Sequence, residues 1–180
     1  MFKVVGLLAL SMAVAANAAQ PTPRAASQER SIKALSPEQI EDYLEGRGMG
    51  MALPAELNGY PGPRHVLELA DEVDLTVTQR AQTEQLFEDM RLKAVALGEE
   101  IVAREALLDE LFASGTASEA ALDDLAEALG RLNGQLRAHH LRHHLAMRDL
   151  LDPRQLDRYQ RLRGYGSAHG SVGHDRHGGH

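Results

Sequence analysis

The sequence predicts an all-α protein: a long antiparallel helical hairpin with short flanking helices, arranged as a four-helix-type bundle or a cradle-shaped dimer. Three observations carry this. The 180 residues contain no tryptophan and three phenylalanines, and their wealth of Ala, Leu, Glu and Arg favours long helices over a sheet with an aromatic core. A five-residue helix-start element occurs three times. Two long stretches place apolar residues at alternating spacings of three and four, with one short turn between them.

Taken in order, residues 1–19 read as an export signal, with Lys3 as a positive start, an apolar run from Val4 to Ala16, and a small-x-small cleavage site at Ala16-Asn17-Ala18. The expected location is therefore the periplasm, as a soluble chain after cleavage near Ala19. An uncleaved inner-membrane anchor is the alternative, and the weaker one, because a span needs roughly 20 strongly apolar residues. No cysteine is present, which removes thiolate metal sites and disulfides and leaves stability to packing, oligomerisation or bound metal.

Residues 20–63 form an N-terminal linker, a short helix near 36–45 and a loop from Gly46 to Pro63 with five glycines and three prolines. A further short helix is expected near 64–73. From Thr76 to about Phe112 the seam Phe87, Met90, Ala94, Leu97, Ile101, Arg104, Leu108 and Leu111 predicts one arm of the hairpin, on the order of 55 Å long. Ser114 to Ser118 forms the turn, with Gly115 as C-cap. The second seam runs through Leu122, Leu125, Leu129, Leu132, Leu136, His139, His143, Ala146 and Leu150. A last helix is expected near 153–163, and residues 164–180 form a Gly/His-rich tail expected to be disordered. The folded domain is thus residues 64–163.

The three helix starts are Leu35-Ser36-Pro37-Glu38-Gln39, Leu75-Thr76-Val77-Thr78-Gln79 and Leu151-Asp152-Pro153-Arg154-Gln155. Ser, Thr or Asp accepts an orphan backbone N–H, and Gln three residues later completes a capping box. Proline suits the first helical position in two copies. The preceding leucine sits where a hydrophobic staple would, with Ile40 and Leu156 as partners in the first and third copies.

The Leu-Thr-x-x-Gln element at Leu75 to Gln79, with its Leu151 to Gln155 counterpart after a long hairpin, resembles the signature of the Spy/CpxP family and of related periplasmic heavy-metal-resistance and sensor proteins such as CnrX and ZraP. The resemblance covers about residues 64–163 and implies a periplasmic helical hairpin. It implies two alternative roles. Spy- and CpxP-like members are ATP-independent chaperones or stress-signalling modulators working as cradle dimers, whereas CnrX-like members hold metal within the helical bundle. In the latter, an H-x-x-x-H pair, one Glu from the long helix and an H-x-x-x-M pair form the site. His143-x-x-x-Met147 matches the last element, and Glu84 or Glu88 could supply the carboxylate. The first element is not reproduced, since His65 has Leu69 four residues later and Pro61 four before.

Nine histidines carry the chemistry on their own account: His65, the cluster His139-His140-x-x-His143-His144, and His169, His174, His177 and His180 in the tail. On a helix, positions i and i+4 stack one turn apart, so His139/His143 and His140/His144 are each spaced to chelate one ion. Met147 extends the first row. The seam places His139 and His143 toward the other arm, with His143 opposite roughly Glu88 and Met147 opposite roughly Glu84; read without a metal, it leaves His140 and His144 on the solvent side. This mixture of imidazole, carboxylate and thioether donors suits nickel, cobalt, copper or zinc. The tail histidines suit weaker scavenging. Met49-Gly50-Met51 offers a thioether pair for Cu(I), weighed against simple loop packing. Four histidines near pKa ~6.5 also allow a response to mild acid.

Charge points to a competing reading. Residues 66–127 are acidic, while Arg137, Arg142, Arg148, Arg154, Arg158, Arg161 and Arg163 cluster from 137 to 163. A surface mixing arginines with exposed leucines can steer and hold unfolded clients. The alternative is a solvated face pairing with the acidic arm. The expected partners are a second copy of the chain and either a membrane-bound signalling protein or unfolded periplasmic clients. A net charge of −7 makes nucleic acid a poor partner. No H-E-x-x-H, G-x-S-x-G or phosphate loop is present, so an enzyme is not expected. The function expected is a periplasmic sensor or buffer of divalent transition metal, with the chaperone as alternative.

Overall fold

A computed structural model describes residues 27–165; residues 1–26, with the stretch read as an export signal, and residues 166–180, with the four tail histidines, lie outside the described residues. Six helices lie wholly within the described residues: α1 Pro37–Leu44, α2 Leu53–Glu56, α3 Pro63–Glu68, α4 Val77–Ala113, α5 Glu119–Leu150 and α6 Pro153–Leu162. No strand occurs among the described residues. No helix among them is long and apolar enough to cross a membrane.

The long arms α4 and α5 form the expected antiparallel hairpin, closed by a turn in which Gly115 adopts a positive φ of 71°. All three helix starts are complete capping boxes at Ser36, Thr76 and Asp152, each satisfying backbone donors that a helix end otherwise leaves orphaned. Two differences from expectation stand out. The helix expected near 64–73 ends at Glu68 and gives way to turns. The glycine-rich loop carries a helix of its own, α2, started by Pro54 in its first turn.

The core lies in two parts along the hairpin. Toward its middle, Ala94, Leu97 and Ile101 of α4 meet Leu129, Leu132 and Leu136 of α5, with Tyr43 and Met49 packed on from the N-terminal segment. At the open end, Val66, Val73, Met147, Leu151 and Tyr159 join α3, α5 and α6. Full burial of each aliphatic side chain contributes about 1.5–3 kcal/mol. The hairpin could not keep these faces dry alone, and α1 lies across α4 at Gly98. A Cβ at Gly98 would sit 2.1 Å from the Tyr43 carbonyl oxygen, so a larger residue would lift α1 off the hairpin.

The open end is closed by a reciprocal amide pair. Gln79 Nε2 donates to Gln155 Oε1 at 2.9 Å, and Gln155 Nε2 donates back to Gln79 Oε1 at 2.9 Å. The same amides complete the two capping boxes, accepting from the backbone N–H of Thr76 and Asp152. They also satisfy the carbonyls of Leu150 and Asp74 at 3.1 Å. The repeated helix-start element is thus a pair of interlocked clasps joining the start of α4 to the start of α6.

Replacing Gln79 or Gln155 by alanine is expected to cost about 2–3 kcal/mol in urea unfolding, because each change strands the partner amide and a carbonyl. The double variant should cost at least about 1 kcal/mol less than the sum, the signature of a coupled pair. Additive costs would show that the two amides act independently.

Candidate functional site

The seam of α5 determines which histidines face inward. Its buried residues are Leu129, Leu132, Leu136, His140, His144 and Met147, continued by Leu151. Its spacings of three and four average close to the 3.6 residues of an α-helical turn, whereas a strict heptad would drift round to His139 and His143. His140 is 2% exposed and His144 7%. The expectation that they lie on the solvent side is therefore overturned.

His139 and His143 lie partly exposed on the flank. His139 does reach the other arm, with Nε2 3.1 Å from the Met90 carbonyl oxygen, and His143 Nδ1 lies 2.9 Å from the His139 carbonyl oxygen. Their rings meet edge-on, with centroids 4.6 Å apart. The carboxylates expected opposite them do not join them. Glu84 is exposed, and Glu88 is held by Arg91 at 2.8 Å and 3.0 Å, which keeps its carboxyl below the ordinary range. Met147, expected to extend the outer row, is fully buried in the core at the open end. The neighbourhood of the outer pair is basic instead: the hollow beside His139 is lined by Lys93, Arg131 and Arg142.

The inner pair faces a cavity of about 380 Å³ between α5 and the glycine-rich loop, bordered by Met49, Glu56, Gly62, His65, Met90, His140 and His144 among others. The loop is fastened there by side chains of α5. Arg148 Nη1 donates to the Gly59 carbonyl at 2.7 Å, and its guanidinium stacks 4.5 Å from the Tyr60 ring centroid. His144 Nδ1 is 2.8 Å from the Tyr60 carbonyl oxygen. A carbonyl only accepts, so Nδ1 carries the proton and the Nε2 lone pair is the free donor of that ring. Gly62 makes room for it, since a Cβ there would lie 3.0 Å from His144 Nε2.

His140 Nε2 is buried with no hydrogen-bond partner among the described residues. An unpaired buried polar nitrogen is costly and rare in a native protein. Burial, with the nearby imidazoles His139, His144 and His143 adding to it, pushes the His140 pKa down to about 4.

Beside the two imidazoles lies Glu56, 4% exposed, a residue that sequence reasoning passed over. Its Oε1 accepts from the Tyr159 hydroxyl, and its Oε2 accepts from the Gly62 N–H at 3.1 Å. His65 Nδ1 lies 3.5 Å away, Arg163 Nε 3.6 Å and His144 Nδ1 3.7 Å. Burial pushes the Glu56 carboxyl up, but hydrogen bonding from His65 and Tyr159, with the positive charge that His65 and His144 carry when protonated, outweighs it and holds the carboxyl below its ordinary value. The Tyr159 hydroxyl is driven the other way by burial and by this carboxylate. The only sequence signal for Glu56 was an acidic residue between Ala55 and Leu57 in a loop otherwise apolar and glycine-rich.

Chemically, the cavity offers two free imidazole nitrogens one helical turn apart beside a buried carboxylate. Among the described residues, no three His, Asp or Glu side chains are gathered in a metal-ligating arrangement. The orphaned His140 nitrogen and the carbonyl-anchored His144 ring fit the demands of a metal ligand, since ligating histidines characteristically donate their second ring N–H to a carbonyl or carboxylate.

The depressed His140 pKa has a consequence for stability. The unfolded ring titrates near 6.5 and the folded one near 4, so the fold binds fewer protons between those values. Stability is fully present above about pH 6.5 and should fall by on the order of 3 kcal/mol as pH drops toward 4. Urea unfolding across this range should show that loss, and His140→Gln should flatten it. A variant with the same slope would assign the acid sensitivity elsewhere. No family model, no curated protein and no solved structure matches the chain.

Proposed function

We propose that the chain binds a transition metal ion in the periplasm through His140 and His144, acting as a sensor or buffer of metal in the cell envelope. The observation that supports this best is the pair of buried imidazoles on one face of α5, with His140 Nε2 unpartnered and His144 oriented by the Tyr60 carbonyl. Glu56 and His65 border the same cavity and are paired with each other. The bound ion would supply the energy that joins α5 to the glycine-rich loop, because a site absent from the unfolded chain converts binding energy into folding energy. Its occupancy would thus be readable as tightening of the loop on the hairpin. The tail histidines His169, His174, His177 and His180 serve in this reading as a looser capture tract.

A chaperone or stress-signalling role is the second reading, and a specific observation favours it. Leu92, Leu107, Phe112, Leu122 and Leu145 are exposed along the hairpin. Of the arginines expected to accompany them, Arg158 and Arg161 are paired with Asp74 and Asp157, and Arg148 holds the loop. Arg137, Arg142 and Arg154 are exposed and make no ion pair among the described residues. Mixed apolar and cationic surface of this kind is suited to unfolded clients, a second copy of the chain or a membrane-bound signalling partner.

Calorimetric titration separates the two readings. The full chain with its four tail histidines changed to alanine would be titrated with Zn²⁺, Ni²⁺, Co²⁺, Cu²⁺ and Ag⁺. His140→Ala/His144→Ala should weaken the tightest binding by about 100-fold or more, and His139→Ala/His143→Ala by far less. The reverse order would return the site to the outer pair. Equally weak binding by all three proteins would sink the helical site and put the chaperone first.

A further inference from the structure

Resting on the metal-binding reading, we infer that the cavity beneath the glycine-rich loop is a soft-metal site selective for a monovalent d¹⁰ ion, Cu(I) or its surrogate Ag(I), held by the thioethers of Met49 and Met90 together with His140 and His144.

The four side chains border one cavity although they come from three separate parts of the chain: Met49 from the loop, Met90 from α4, and both histidines from α5. Met90 is 8% exposed and His140 2%, so two of the four donors are shielded from water. The two methionines of the Met49-Gly50-Met51 motif are thereby separated in role, since Met49 borders the cavity and Met51 does not. Met49 is also one of only two non-glycine residues with positive φ among those described, at 45°.

The charge balance determines which ion suits these donors. Every carboxylate near the cavity already has a cation or a donor. Glu56 is committed to Tyr159, the Gly62 N–H, His65 and Arg163, and Asp42 is paired with Arg47 at 2.8 Å. Arg64, also on the cavity, is paired with Glu68 at 3.0 Å. The groups left to ligate are therefore neutral: two imidazoles and two thioethers.

Transferring an ion from water into a low-dielectric site costs an amount that grows with the square of its charge, so a dication costs about four times as much as a monocation of the same size. Nickel, cobalt and zinc need anionic or hard donors to offset that cost. Thioethers offer none of that charge, but they bind soft, polarizable ions well. Neutral donors, an interior position and sulfur at two of four places all favour Cu(I) or Ag(I) over the divalent ions. The absence of three gathered His, Asp or Glu groups among the described residues agrees with a site in which sulfur supplies the remainder.

The test uses the full chain with its tail histidines replaced by alanine, titrated with Ag⁺ and, under reducing anaerobic conditions, with Cu⁺ against a chromogenic chelator. Methyl NMR of ¹³C-methionine-labelled protein is recorded alongside. One equivalent of Ag⁺ should shift the ε-methyl signals of Met49 and Met90 and leave those of Met51 and Met147 in place. Affinity for Ag⁺ should exceed that for Zn²⁺ by about 100-fold or more, and Met49→Leu/Met90→Leu should remove most of that margin while leaving Zn²⁺ binding unchanged. If the double variant fails to fold, the methyl shifts of the unaltered protein decide alone. Unmoved Met49 and Met90 signals with Zn²⁺ or Ni²⁺ bound at the histidines would overturn the soft-site assignment and leave the imidazole pair standing. No response of His140, His144 or either methionine to any of the ions would overturn both.

Discussion

A carboxylate taken out of water costs several kcal/mol unless its charge is compensated and its lone pairs are filled, and the arrangement around Glu56 follows from that constraint. This one side chain, on a helix of only four residues, draws in the Tyr159 hydroxyl of α6, the Gly62 N–H before α3, His65 of α3 and Arg163 just beyond α6. It thereby binds the glycine-rich loop to α3 and to the C-terminal end of α6, at Tyr159 and the Arg163 cap. With the loop seated, Tyr60 presents its carbonyl to His144 and Gly62 makes room for that ring. The cavity lies beside this buried charge and the four groups, from α3 and α6 with their caps, that satisfy it.

The amide clasp at Gln79 and Gln155 performs the complementary task at the backbone level. Each glutamine belongs to a local capping box that any isolated helix could form, yet each also bonds the other across the open end of the hairpin. A local signal is in this way reused as a tertiary one. The clasp holds the start of α6 beside the start of α4, and so brings Tyr159 and Arg163 to Glu56. The two polar clusters are mechanically connected through α6, and strain at one should be felt at the other.

The interior of this end is unusually polar for a chain without disulfides. His140, His144, Glu56, Thr83 and Gln155 are all buried. Most are satisfied: Thr83 donates to the Gln79 carbonyl at 2.7 Å, and Gln155 and Glu56 have full sets of partners. His140 is the exception. Among the described residues, Arg163 Nε, on the same cavity, likewise lacks a hydrogen-bond partner but lies 3.6 Å from the Glu56 carboxylate. The His140 nitrogen, by contrast, has no charged group there to offset its burial and is the feature that most calls for a ligand. The outer pair His139/His143 lacks this character, since both rings have carbonyl partners and the neighbouring hollow is lined by cations. As proposed, metal binding and client binding also call on different surfaces, the former on the cavity under the loop and the latter on the outer faces of the hairpin.

Much of the architecture was legible in the chain because its signals are local. The three helix starts, the turn at Gly115 and the apolar spacing of the two arms depend on residues within a few positions of one another, and α4, α5 and α6 begin and end within a residue or two of where caps and spacing put them. That four histidines gather on α5 was equally legible. Which two face inward was not. A spacing of three or four after Leu136 leads to His139 or His140, and only the cover laid over that face by the glycine-rich loop selects His140 and His144. Glu56 was invisible for the same reason: its partners Tyr159 and Arg163 lie more than a hundred residues away. By itself the sequence determined helices, caps and the hairpin, because hydrogen bonds and periodicity act over one or two turns. Tertiary structure decided the site, because burial of a side chain is settled by whatever distant segment packs against it.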